Sequence, residues 1–109
     1  MEYFLALIAV IASFYGVDAG LVACVIQGES SWDPNAIGRA GEIGLGQILP
    51  ETGEWLAQKA SNDQTLHHPI QMPLDLRDPY TNIVLTVYGL DRWPWFWSTY
   101  DRCSSLTGG

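Results

Sequence analysis

The chain reads as a mainly α protein. Apolar residues recur at helical spacing along most of its 109 residues, and almost no stretch alternates at the period of a strand. Helix punctuation is the second observation. Asp18 and Asp78 precede apolar runs, Pro50 and Pro79 suit first helical positions, and Gly16 follows the first run. Length is the third: 109 residues support one domain with a modest core, so residues 1–109 are read as a single domain.

The first element is "MEYFLALIAVIASFYGVD". Its uncharged run, Tyr3 to Val17, is shorter than the roughly 20 apolar residues of a membrane span. Glu2, the lack of a nearby Lys or Arg, and the lack of a small-residue cleavage site count against a signal peptide. A buried first helix is expected. Because the run has no clear polar face, a helix that touches a membrane surface or a partner is the alternative.

Gly16 stops this helix, and Asp18 offers its carboxylate to the amides of a second, from about Ala19 to Ser30. Val25 lies four residues before Glu29 and Trp32 three after, so continued helical geometry would place both beside the carboxylate. Pro34 disfavours helix at Asp33. Gly38, Gly41, Gly44 and Gly46 then fit no regular element and predict a loop with tight turns. Pro50 opens a third helix, with Glu51 in its first turn, that continues through "GEWLAQKA". Residues 61–78 are polar and broken by prolines, so a loop is expected there. Asp78 and Pro79 start a fourth helix, "PYTNIVLTVYGL". The tail, "DRWPWFWSTYDRC", is crowded with aromatics. Trp93, Trp95 and Trp97 alternate there, either to close the core or to offer ring faces to a ligand.

Several functions are excluded by composition. Twelve acids against five bases give a net charge of -7 with no basic stripe, which argues against nucleic acid and polyanionic membrane partners. No G-x-S-x-G frames a serine nucleophile, and no glycine-rich loop ends in Lys-Ser or Lys-Thr. His67 and His68 read as solvated loop residues rather than metal ligands. "DPNAIG" starts in calcium-loop register, but position twelve is Gly44 where a Glu is needed. No metal or cofactor is expected. Cys24 and Cys103 have no metal-like spacing. They are either two separate thiols or one disulfide tying the tail to the second helix, the latter suiting an oxidising compartment. Glu29 remains. It is either an ordinary helix-end carboxylate or a general acid whose proton is held by apolar neighbours.

The surrounding motifs bear on that choice. "IASFYGVDAGLVACVIQGESSWDPNAIGRAGEIGLGQILPETGEWL" resembles the catalytic domain of lytic transglycosylases of the soluble (SLT) type, relatives of goose-type lysozyme. The Tyr-Gly-Val-Asp turn, the helix ending in Glu-Ser, the aromatic with Asp-Pro and Ala, the glycine-leucine-glutamine segment and the Pro-x-Thr helix start follow in family order. "DPYTNI" resembles a later family motif. The likeness covers about residues 8 to 97 and implies a lysozyme-like fold acting as a monomer on peptidoglycan glycan strands at the bacterial cell wall. It places Glu29 on the single acid/base, Ser30 on the serine after it, and Gly44, Leu45 and Gln47 on the segment lining the cleft. Asn82 falls on a family asparagine read as structural, and Tyr88 is the candidate for the active-site tyrosine. Two departures stand out. Glu42 replaces the family's Ala and adds a second carboxylate, and the later Ala-Tyr-Asn-Ala-Gly segment is absent, as in a minimal, phage-like or accessory version.

The resemblance implies a reaction in which Glu29 protonates the leaving oxygen and then accepts the proton of the sugar's 6-hydroxyl, helped by the N-acetyl group. The glycine loop would approach the glycan closely, its amides bonding N-acetyl groups. Three other readings stay open. One is lysozyme-style hydrolysis with Glu42 or Asp33 positioning water. The second is a non-catalytic glycan-binding or assembly module on the same fold, and the third an export-associated partner protein using the apolar first helix.

Overall fold

The computed structural model describes residues 1–63 and 69–107, so the His67–His68 pair lies outside the described residues. The centre of the molecule is the helix begun by Asp78 and Pro79. Asp78 accepts a hydrogen bond from the Thr81 amide at 3.1 Å, and every residue from Thr81 to Leu90 is buried. A helix buried all round must be covered on all sides. In chain order the described helices are α1 (Glu2–Tyr15), α2 (Ala19–Ser30), α3 (Pro50–Asn62), α4 (Pro79–Arg92) and α5 (Tyr100–Thr107), with a 3₁₀ turn at Pro94–Phe96. α1, α2, α3 and the 3₁₀ turn all pack on α4, while α5 packs on α2. The architecture is mainly α. Its only strand-like features among the described residues are isolated bridges pairing Ile43 with Ile37 and with Ile48.

α1 departs from the buried helix expected of it. Ile8, Ile11 and Ala12 are buried, but Tyr3 is 64% exposed and Val10 65%. The helix leans on α2 and α4 with one stripe, and its other apolar face points outward. Among the described residues, no helix is long and apolar enough to cross a membrane. Gly16 ends α1 as expected, in the left-handed conformation at φ 69°.

Asn82 connects the core to the glycine loop. Its Oδ1 accepts from the Gly46 amide at 2.8 Å and from Thr86 Oγ1 at 3.1 Å. Its Nδ2 donates to the Ile43 carbonyl at 3.0 Å and the Leu76 carbonyl at 2.9 Å. The amide is fully buried and all of its hydrogen-bonding capacity is used. Asn82→Asp would aim a carboxylate oxygen at both carbonyls. Two acceptors, the Leu76 carbonyl buried and the Ile43 carbonyl partly so, would lose their donor, at about 1–3 kcal/mol for a buried group. The expected result is a melting temperature lower by on the order of 10 °C, read by thermal unfolding. An unchanged melting temperature would contradict this role for Asn82.

Candidate active site

Glu29 is delivered by the last turn of α2. Asp18 caps that helix by accepting from the Leu21 amide at 3.2 Å, and the chain then reverses through Ser31 at φ 52° and Trp32 at φ 67°. The reversal corrects one expectation. Trp32 was expected beside Glu29 on the premise of continued helix. Its indole instead donates to Gln27 Oε1 at 2.7 Å and stacks on Phe4, with ring centroids 6.5 Å apart. Val25, one turn before Glu29, is fully buried. Glu29 itself is half-buried, and its Oε2 accepts a hydrogen bond from Thr99 Oγ1 at 3.0 Å.

Glu29 opens onto a cleft of about 350 Å³. Glu42 and Gln47 of the glycine loop, Thr52 of α3, and Phe96 and Trp97 of the tail line it as well. A larger groove of about 560 Å³ runs along α3 over Trp55, Ile70 and Met72. Glu29 is absent from that groove, so the chemistry favours the smaller cleft.

The structure therefore brings Glu29, Glu42 and Gln47 together, but not every residue expected at the site. Ser30 turns its hydroxyl back onto its own helix, donating to the Ile26 carbonyl at 3.2 Å. Leu45 is buried in the core. Gly44 is buried with φ 80°, and a Cβ there would collide with the Leu76 carbonyl and the Asn82 amide. Tyr88 is fully buried in α4, far from the role of a cleft tyrosine. Its hydroxyl donates to Asp63 at 2.7 Å, and Arg92 joins the same carboxylate at 2.7 Å. Asp33 accepts from the Asn35 amide at 2.9 Å within its own turn.

The glycine loop also differs from expectation. The amides expected to bond N-acetyl groups already donate inside the protein. Gly38 donates to the Glu42 carbonyl, Gly41 to that of Gly38, Gly44 to that of Ala36, and Gly46 to Asn82. The loop is internally braced, and the Gln47 side chain adds to this by donating to the Ala36 and Gly44 carbonyls at 3.1 and 3.0 Å. At Gly38 the reason for glycine is close approach. A Cβ there would fall within 3 Å of the Glu42 carboxylate and the Gln47 amide. Glu42 Oε1 accepts from the Ala40 amide at 2.7 Å, which holds this carboxylate at the cleft edge.

The aromatic tail closes the core through Trp97 and reaches the edge of the cleft with Phe96. Trp97 is only 5% exposed, donates from Nε1 to the Gly46 carbonyl at 2.8 Å, and lies where a side chain at Gly89 would otherwise stand. Phe96 is exposed at the cleft and stacks on Trp93, with centroids 6.3 Å apart. Beyond it, Cys24 of α2 and Cys103 of α5 form a disulfide with Cα atoms 5.6 Å apart. α5 and the contact from Thr99 to Glu29 carried no signal in the sequence. Thr99 lies 70 residues from Glu29, and its hydroxyl is one of many in the chain.

A mainly α fold that gathers a helix-end glutamate, a second carboxylate and aromatic rings around one cleft is the lysozyme-like arrangement. Within that class the chain belongs to the transglycosylase SLT domain family, whose model matches residues 6–94. It is similar to membrane-bound lytic murein transglycosylase C of Histophilus somni (strain 2336), with 45% identity over 51 residues. It is likewise similar to the protein of that name from Haemophilus influenzae (strain PittEE), with 45% identity over 49 residues. These segments cover 47% and 45% of this chain but 14% of each relative, so the chain spans a small part of the relatives it matches. No solved structure matches the chain significantly.

Proposed function

We propose that residues 1–109 act as one peptidoglycan-cleaving domain, a lytic transglycosylase working as a monomer at the bacterial cell wall, with Glu29 as its single acid/base. The observation that carries this reading is the position of Glu29, at the end of a core helix and at the mouth of a cleft, within the segment matched by the family model. The printed names of the relatives, lytic murein transglycosylases, agree with it.

The bond cut would be the β-1,4 linkage between N-acetylmuramic acid and N-acetylglucosamine. Glu29 gives its proton to the bridging oxygen as the C1–O bond breaks, and the carbonyl oxygen of the muramyl N-acetyl group bonds to C1. Glu29, now a carboxylate, takes the proton of the 6-hydroxyl. O6 then bonds to C1, the N-acetyl oxygen departs, and the product is a 1,6-anhydro sugar with no water consumed. Retaining glycosidases of the two-carboxylate type need a nucleophile about 5–5.5 Å from the acid; the N-acetyl group takes that place here. No step calls on a cofactor. The braced loop supplies a fixed wall, with Gln47 and Phe96 facing the glycan.

Glu42 in the same cleft supports a second reading, hydrolysis with Glu42 positioning a water. Mass spectrometry of digested cell walls separates the two. Anhydro-muramyl ends are expected; reducing ends would establish the hydrolase, and an uncut polymer would leave a glycan-binding module.

A further inference from the structure

We propose that Thr99 is a positioning residue for Glu29, pinning one carboxylate oxygen so that the other faces the substrate. The inference rests on the reading of Glu29 as the acid/base. Thr99 lies beyond residues 6–94, the segment matched by the family model, so this contact is supplied by a part of the chain that the family pattern does not reach.

The geometry is specific. Thr99 Oγ1 stands 3.0 Å from Glu29 Oε2, and both side chains are half-buried. Thr99 comes just before α5, and its carbonyl accepts from the Cys103 amide at 3.0 Å, so its backbone is set by the first turn of that helix. Two anchors flank it. Trp97, two residues earlier, is tied to the Gly46 carbonyl, and Cys103, four residues later, is bonded to Cys24 on the helix that carries Glu29. The packing is also close. A Cβ at Gly28 would come 2.8 Å from Arg102 Nη2 and 2.9 Å from Thr99 Cγ2, so α2 presents bare backbone beside its glutamate where both α5-side residues approach.

A hydroxyl suits a group that changes protonation state twice per turnover. It can donate to Oε2 both when the carboxyl is ionised and when the acid proton is carried on Oε1, so the contact persists through both states. With Oε2 held by Thr99, Oε1 is the oxygen left to exchange protons with the glycosidic oxygen and the 6-hydroxyl. Reaction rates fall steeply when a reacting group is misplaced by as little as 1 Å.

Steady-state cleavage of soluble peptidoglycan glycan fragments tests this with three full-length variants, Thr99→Val, Thr99→Ser and Thr99→Ala. Valine keeps the shape and loses the hydroxyl. The expected result is a kcat about 10- to 100-fold lower with KM little changed, because the loss falls on the transition state. Serine keeps the hydroxyl and loses the methyl, as alanine loses both. Serine should therefore hold kcat near the parent value and alanine should fall with valine, even if both small side chains lower the melting temperature alike. Equal kcat in serine and alanine, or a loss appearing in KM alone, would overturn the positioning role while leaving Glu29 as the acid/base. A parent protein that cuts no glycan would overturn both readings together.

Discussion

Glu29→Gln is expected to end wall cleavage and leave the fold intact. One side chain is assigned both proton transfers, and each such role commonly contributes about 10²–10⁴-fold to the rate. The glutamine is nearly isosteric, and its amide carbonyl can still accept from Thr99, so the half-buried site keeps its neighbours. Clearance of a cell-wall suspension should fall by at least about 10³-fold, with the melting temperature unchanged. Glu42→Gln is the matched control. It should remain largely active if the 6-hydroxyl is the nucleophile, and fall severely if Glu42 directs a water. Clearance by Glu29→Gln at close to the parent rate would remove Glu29 from the mechanism.

Opening the Cys24–Cys103 bridge should give the largest change in stability. The cysteines are 79 positions apart, so the bond closes most of the chain into one loop. In the chain-entropy account a loop of that size stabilises the fold by about 4 kcal/mol. Cys24→Ser and Cys103→Ser should each lower the melting temperature markedly. Reductant should lower the parent toward the variants and do nothing further to them. Cleavage should suffer as well, because the bridge fixes α5 against α2 and Thr99 stands at the start of α5. Identical melting of oxidised and reduced parent protein would refute the stabilising role.

The parts of the fold legible in the sequence were those governed by neighbouring residues. The bounds of α2 follow from Asp18 and the break after Ser30, and α4 begins where Asp78 and Pro79 predict. The family motif also singled out Glu29 and Gln47, and Glu42 stood out as a departure from it; the three line one cleft. What stayed hidden depended on tertiary contacts or on rare local conformations. Ser31 and Trp32 both take positive φ, which non-glycine residues seldom signal, and that reversal turns the Trp32 indole onto Gln27 and Phe4. The apolar run of α1 could not show that one of its faces would stay outside. Tyr88 could not show its depth, since whether a helical tyrosine lines a cleft or the core depends on what packs over it. α5 is short, and its main tie to the rest is a covalent bond that spacing alone left open.

The Gly46 peptide is held at both ends, its amide by Asn82 of the core and its carbonyl by Trp97 of the tail. Amide hydrogen exchange offers a direct view of what this means. Gly46 should exchange only when the whole protein opens, since freeing its N–H requires leaving α4, whereas the Ala40 amide, tied only to the exposed Glu42 edge, should exchange through local fluctuation. The wall of the cleft is then as durable as the core itself, and any ligand arriving there meets a surface whose ordering entropy was spent during folding.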